Sequence, residues 1–207
     1  MDLDEWIKYV FPKVQLSDFL DWKYPDFFEA PNLEKKVICS YVGHVFVNIE
    51  KMHSEFGIER LAYGLNYIIN PFVSLTSYAL LDDSVSDEIK IDTISSMSNV
   101  FILFERQCDE NTKSLNYVCK MWWDFFPRHG TGTRNNSIKK IDQYILMILE
   151  SLLKYKSHYC VESALHGLGH WHAGYPEEVE TIIENNTKHI PAKLLEYADK
   201  CKHGITF

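Results

Sequence analysis

The sequence predicts an all-α protein: one domain over residues 1–207, built from antiparallel helical pairs stacked side by side or as a compact helical bundle. Three observations lead there. Apolar residues recur at steps of three and four nearly everywhere, while strict alternation survives only in scraps such as HVFVNI and EIKIDTI. Six of the seven prolines fall at expected element boundaries, so they punctuate helices rather than break them. No tract rich in Gly, Ser or Pro divides the chain, and its length suffices for one sizeable core.

Taken in order, LEKKVICSYVGHVFVNIEKMH carries the stripe Ile38, Val42, Val45, Ile49 and Met52. IERLAYGLNYIIN follows with Ile58, Leu61, Leu65 and Ile68 or Ile69, and Pro71 opens the next element. The stretch from Ser86 to Cys108 aligns Ile94, Met97, Phe101, Phe104 and Cys108 behind a Ser86 cap, with Asp87 and Glu88 in the first turn. TKSLNYVCKMWWDFF presents Leu115, Val118 or Cys119, Trp122 and Phe126 before Pro127. SIKKIDQYILMILESLLKY shows Ile138, Ile141, Ile145, Ile148 or Leu149, and Leu152 behind a Ser137 cap. Pro176 and Pro191 suit the first turns of two short final helices. The longest loop expected is PRHGTGTRNN, residues 127–136.

A net charge of −8 disfavours sequence-independent nucleic-acid binding, which needs clustered Lys and Arg to displace counterions. It suits an electropositive protein partner instead. The start, MDLDEWIKYVF, lacks the order of a secretory signal, and no apolar run is long enough to span a bilayer. Five widely spaced cysteines without a CxxC read as reduced, buried thiols of a cytoplasmic protein.

Chemistry-bearing residues crowd into ESALHGLGHWHAGYP, residues 162–176. At about 100° per residue, Val161, Ala164, Leu165, Leu168 and Trp171 form an apolar arc. His158, Glu162, His166 and His170 follow one another at steps of four on a separate stripe, and His172 falls near the apolar arc. Glu162, His166 and His170 are candidate metal ligands, with His129, His189 or His203 available as a further one. The spacing is not HExxH, however. Packing is the preferred reading. Gly167 and Gly169 each cost about 1 kcal/mol relative to Ala in a helix, and a close crossing by a neighbouring backbone is what would require them. The histidines would then tie that junction together, with no metal and no cofactor.

ESALHGLGHW and the short helix at YPEEVETII resemble a block found in uncharacterised bacterial helical proteins, and the paired helices at the end of the chain are similar to HEAT-like repeats. The resemblance covers the last third of the chain. It implies a helical scaffold that binds other macromolecules, and an immunity protein held against a toxin of competing bacteria is one such scaffold.

Other constellations carry less. RHG at residues 128–130 matches a histidine phosphatase triplet but follows a helix, where that family has a strand. Arg128 and Arg134 could meet an anion. Asp82, Asp83, Asp87, Glu88 and Asp92 form an acidic cluster, read first as a solvated helix junction, whose functional version is a docking patch for a basic partner. In the tandem Trp122–Trp123, one ring could be core while the other rims a groove, with core packing for both the preferred reading. The expectation is therefore a non-enzymatic protein-binding module, in particular an immunity protein that occupies a basic toxin domain. The alternative is a metal-dependent hydrolase using Glu162, His166 and His170.

Overall fold

The computed structural model describes residues 1–13, 22–24, 31–126 and 134–206. Among these residues it contains nine α-helices and no strand, as the periodicity demands. They are α1 (Leu3–Val10), α2 (Lys35–Val47), α3 (Ile49–Ile69), α4 (Asp87–Gln107), α5 (Lys113–Phe125), α6 (Asn136–Leu152), α7 (His158–Trp171), α8 (Pro176–Asn186) and α9 (Leu195–Lys202). No helix among the described residues is long and apolar enough to cross a membrane.

The chain kinks inside α3. Gly57 has φ 73° and ψ 170°, a conformation closed to residues with a Cβ, and it separates the two helical halves of that element. Before it, the stripe Ile38, Val42, Val45, Ile49 and Met52 is buried throughout, across the α2–α3 junction at Asn48. After it, Leu61, Leu65, Ile68 and Ile69 are buried in turn. The break falls between the two sequence segments that the periodicity had already separated.

Side-chain contacts fix how later helices lie on earlier ones. The Thr93 hydroxyl donates to the Cys39 carbonyl, and Arg106 at the end of α4 pairs with Glu50 just beyond α2, so α4 runs along α2 in the same direction. Ser137 donates to Asp87 at 2.7 Å, and Glu105 accepts from the Lys156 and Ser157 amides at 2.8 and 3.0 Å, so α6 follows α4 likewise. Ser114 donates to Glu59 and the Phe125 ring meets Phe72, which sets α5 along the second half of α3. Ser163 donates to the Cys119 carbonyl at 2.6 Å, which fixes the register of α7 on α5. The Thr93, Ser114, Ser137 and Ser163 bonds each cross from one helix to the next but one.

The core runs between the rows. Trp122, Trp123 and Trp171 are fully buried, and Phe101 stacks on Trp123 with ring centroids 5.6 Å apart. Both tandem tryptophans are core, as the preferred reading has it, and the groove-rim role allowed for one of them is corrected, because α5 is covered by α3, α4 and α7. All five cysteines are free and buried.

Three local expectations change. Asn135, not Ser137, caps α6 by accepting from the Ile138 amide; Ser137 is taken up by Asp87. Pro191 precedes a short 3-10 turn at Ala192–Leu194, and α9 begins only at Leu195. Arg134 is no surface anion site. Its guanidinium pairs with the fully buried Asp142 at 2.5 Å and is itself 6% exposed. Tyr175 donates to the same carboxylate oxygen at 2.8 Å, which joins the start of α6 to the end of α7. The RHG triplet and Arg128 lie outside the described residues, as does His129.

Candidate functional site

The histidine-rich segment is helical through Gly169 to Trp171, so its two faces are those its spacing implies. Val161, Ala164, Leu165, Leu168 and Trp171 are all fully buried. The glycines lie on opposite flanks of this arc, about 160° apart around the helix axis, and have different neighbours. A Cβ at Gly167 would lie 2.7 Å from the Leu149 Cδ2 and 2.7 Å from the Trp123 Cγ. A Cβ at Gly169 would lie 2.5 Å from the Thr206 Cγ2 and 3.5 Å from the Cys201 Cα. Both glycines thus make room for side chains, which corrects the main-chain crossing expected of them: the main-chain atom nearest the Gly169 position, the Cys201 Cα, stands at ordinary contact distance.

On the polar stripe, His166 and His170 converge on Asp124 of α5. The His166 Nε2 lies 2.8 Å from Asp124 Oδ2, the His170 Nε2 lies 2.6 Å from Asp124 Oδ1, and the two Nε2 atoms are 3.2 Å apart. The rings meet edge to face. The other nitrogen of His166, Nδ1, is 2.5 Å from the hydroxyl of Tyr197 on α9, and that hydroxyl reaches the Thr206 carbonyl at 3.3 Å. Three helices therefore meet at one polar junction. Side-chain exposures of 24% for Asp124, 12% for His166 and 23% for His170 leave it open to solvent on one side.

The electrostatics follow from these contacts. Burial pushes the Asp124 carboxyl up, but the hydrogen bonds and charges of His166 and His170 outweigh that and hold it well below the usual carboxylate range. Burial, with Cys201 adding to it, pushes the Tyr197 hydroxyl above its ordinary value, so it stays protonated. Among the described residues, Asp124, His166 and His170 are the one group of three His, Cys, Asp or Glu side chains whose ligand atoms all lie within 4.8 Å of one another.

Glu162 does not join them, which corrects the ligand set read from the stripe. Its carboxylate pairs instead with Lys120 at 3.1 Å, one turn before Asp124. Because α5 and α7 run in the same direction, Lys120 faces Glu162 while Asp124 faces the next turn of α7. His158 packs its ring on Tyr159, and His172 lies against Gly204, away from the junction. His189 and His203 are exposed and outside the cluster. Asp124 was the residue that sequence reasoning missed. Its signal was available: a single carboxylate in WWDFF, flanked by aromatics that are all buried, needs a polar partner.

The acidic cluster divides. Asp83, Glu88 and Asp92 are exposed. Asp82 accepts from the Ser84 amide and hydroxyl, bonds that lower its carboxyl below the usual range, and Asp87 holds Ser137. Just ahead of it, the link after α3 exposes Phe72, Leu75 and Tyr78, at 79%, 54% and 42%. Compared with known protein families, characterised proteins and solved structures, the chain finds no match in any of the three.

Proposed function

We propose that the protein is a non-enzymatic binding module, a short HEAT-like stack of helical hairpins that docks a basic protein partner. The observation that carries this reading is the link between α3 and α4. Its exposed Phe72, Leu75 and Tyr78 lead directly into the exposed Asp83, Glu88 and Asp92. Apolar anchors beside charged residues suit a partner with an apolar spot flanked by Lys or Arg: burial supplies affinity, and complementary charge supplies encounter rate and discrimination.

The stacked-pair architecture is supported by the like-directed contacts of α2 with α4, α4 with α6, α3 with α5, α5 with α7 and α7 with α9. In such a stack each hairpin rests on its neighbours, and the connections between hairpins line one rim as a recognition surface. An immunity protein that covers a basic toxin domain in the cytoplasm is the specific form of this reading.

The test is affinity capture from the native host's lysate, followed by binary titration of each recovered protein against wild type, Phe72→Asp and the double variant Asp83→Lys/Glu88→Lys. Specific binding should fall by at least about 30-fold for Phe72→Asp, the loss of about 2 kcal/mol expected of a hot-spot anchor. The charge variant should slow association most at low salt. Recovery of the same partners at the same affinity by wild type and Phe72→Asp would overturn the reading.

A further inference from the structure

We propose that Asp124, His166 and His170 bind one divalent first-row transition-metal ion of the zinc class, with a coordination position left open to solvent. The proposal is independent of the docking surface above. It rests on the chemistry and placement of the three side chains.

Zinc takes imidazole nitrogens at about 2.0–2.1 Å in a tetrahedral shell, which places neighbouring ligand atoms about 3.3 Å apart. The two Nε2 atoms are already 3.2 Å apart, close to one edge of that tetrahedron. The Asp124 oxygens stand nearer, at 2.6 and 2.8 Å, so the carboxylate must withdraw by about half an ångström to complete the set. Asp124 is partly exposed and ends on a rotatable χ2, so this movement is small and local.

The hydrogen-bond arrangement accommodates a metal ion at this spot in one of the two His166 tautomers. When the Tyr197 hydroxyl donates to the Thr206 carbonyl, it accepts a hydrogen bond from His166 Nδ1–H. The His166 Nε2 then offers a lone pair toward a carboxylate oxygen 2.8 Å away, and two acceptors cannot bond without a cation between them. A metal ion at that position satisfies the contact. Tyr197 also supplies the outer partner through which proteins orient a ligating imidazole.

Selectivity follows from the donor set. Two imidazoles and one carboxylate suit zinc and its borderline neighbours rather than calcium or magnesium, which prefer oxygen shells. Three protein ligands on an exposed face are also the pattern of sites that keep an open vertex, whereas closed structural sites use four. The backbone is fixed before any ion arrives: α7 is registered on α5 by Ser163, and Glu105 holds its N-terminal amides.

Metal-stripped, tag-free protein is titrated with zinc by calorimetry and with cobalt(II) by visible absorption, whose band strength reports coordination number. One equivalent should bind, with the intense bands of four-coordinate cobalt. Asp124→Ala, His166→Gln and His170→Gln should each weaken zinc binding at least about 100-fold, and Tyr197→Phe about 10-fold or more, on the scale of lost outer partners. Glu162→Gln should leave it unchanged. Circular dichroism checks that each variant is folded, and the wild-type titration stands whatever the variants do. Absence of saturable binding up to about a millimolar, weaker than any specific site worth the name, overturns the proposal. So does binding that survives in the folded double variant His166→Gln/His170→Gln, or a loss in Glu162→Gln as large as that in Asp124→Ala.

Discussion

Gly167→Ala is the substitution in which two physical effects oppose each other most directly. In a solvent-facing helix it should stabilise by about 1 kcal/mol, since alanine is the better helix former. At this site the new methyl would lie 2.7 Å from Leu149 Cδ2 and 2.7 Å from Trp123 Cγ, well inside van der Waals contact. Leu149 can turn its end methyl aside. The Trp123 Cγ is one bond from its Cβ, and its ring is pinned by Phe101 and Phe126, so relief must come from moving α7 off α5. Overpacking of this kind costs about 1–3 kcal/mol, and the rigid indole argues for the upper end. The net expectation is a loss of about 2 kcal/mol, or a fall in Tm of about 4–8 °C for a chain of this size. Urea denaturation followed by circular dichroism measures it. Gly169→Ala serves as the control: the nearest atom is a methyl of Thr206, close to the end of the described chain, so it should lose less than about 1 kcal/mol. If Gly167→Ala matches or exceeds the wild type in stability, the steric account of this glycine is wrong.

Two further outcomes are expected. Asp142→Ala leaves the buried Arg134 guanidinium and the Tyr175 hydroxyl without their shared acceptor, so it should cost about 3–5 kcal/mol in urea unfolding, whereas Tyr175→Phe should cost about 1. Because the Asp124 carboxyl is depressed in the folded protein, the stability it adds is present above its unfolded pKa, near 3.9, and is lost as pH falls toward the folded value. The stability gap between metal-free wild type and Asp124→Asn should therefore be steady near pH 5 and narrow below about pH 4; a gap that stays flat through that window contradicts the geometry.

Helix positions were legible in the sequence because burial imposes a period that survives in one dimension. The stripe through Ile38, Val42, Val45, Ile49 and Met52 and the arc from Val161 to Trp171 are both buried as read. Side-chain competition was not legible. Ser137 and Asn135 are both good caps, and only the position of Asp87 on the neighbouring helix decides which one serves. The candidate site was half visible: His166 and His170 announce themselves at a step of four, but their carboxylate comes from another helix. Glu162 has the right spacing and is drawn away by Lys120. Spacing along one helix cannot reveal which residue an adjacent helix places opposite it.

The five sequestered thiols have a practical consequence. Cys39 lies in α2, Cys108 and Cys119 bracket the turn from α4 to α5, Cys160 lies in α7, and Cys201 lies in α9. Burial raises the Cys39 and Cys201 thiols to about 11 and pushes the Cys119 thiol up as well, so an alkylating reagent near neutral pH finds little thiolate at these three while the helices stay closed. The five places thus each carry a chemical stopwatch, and the order in which the sulfurs become labelled would give the order in which those parts of the molecule come apart.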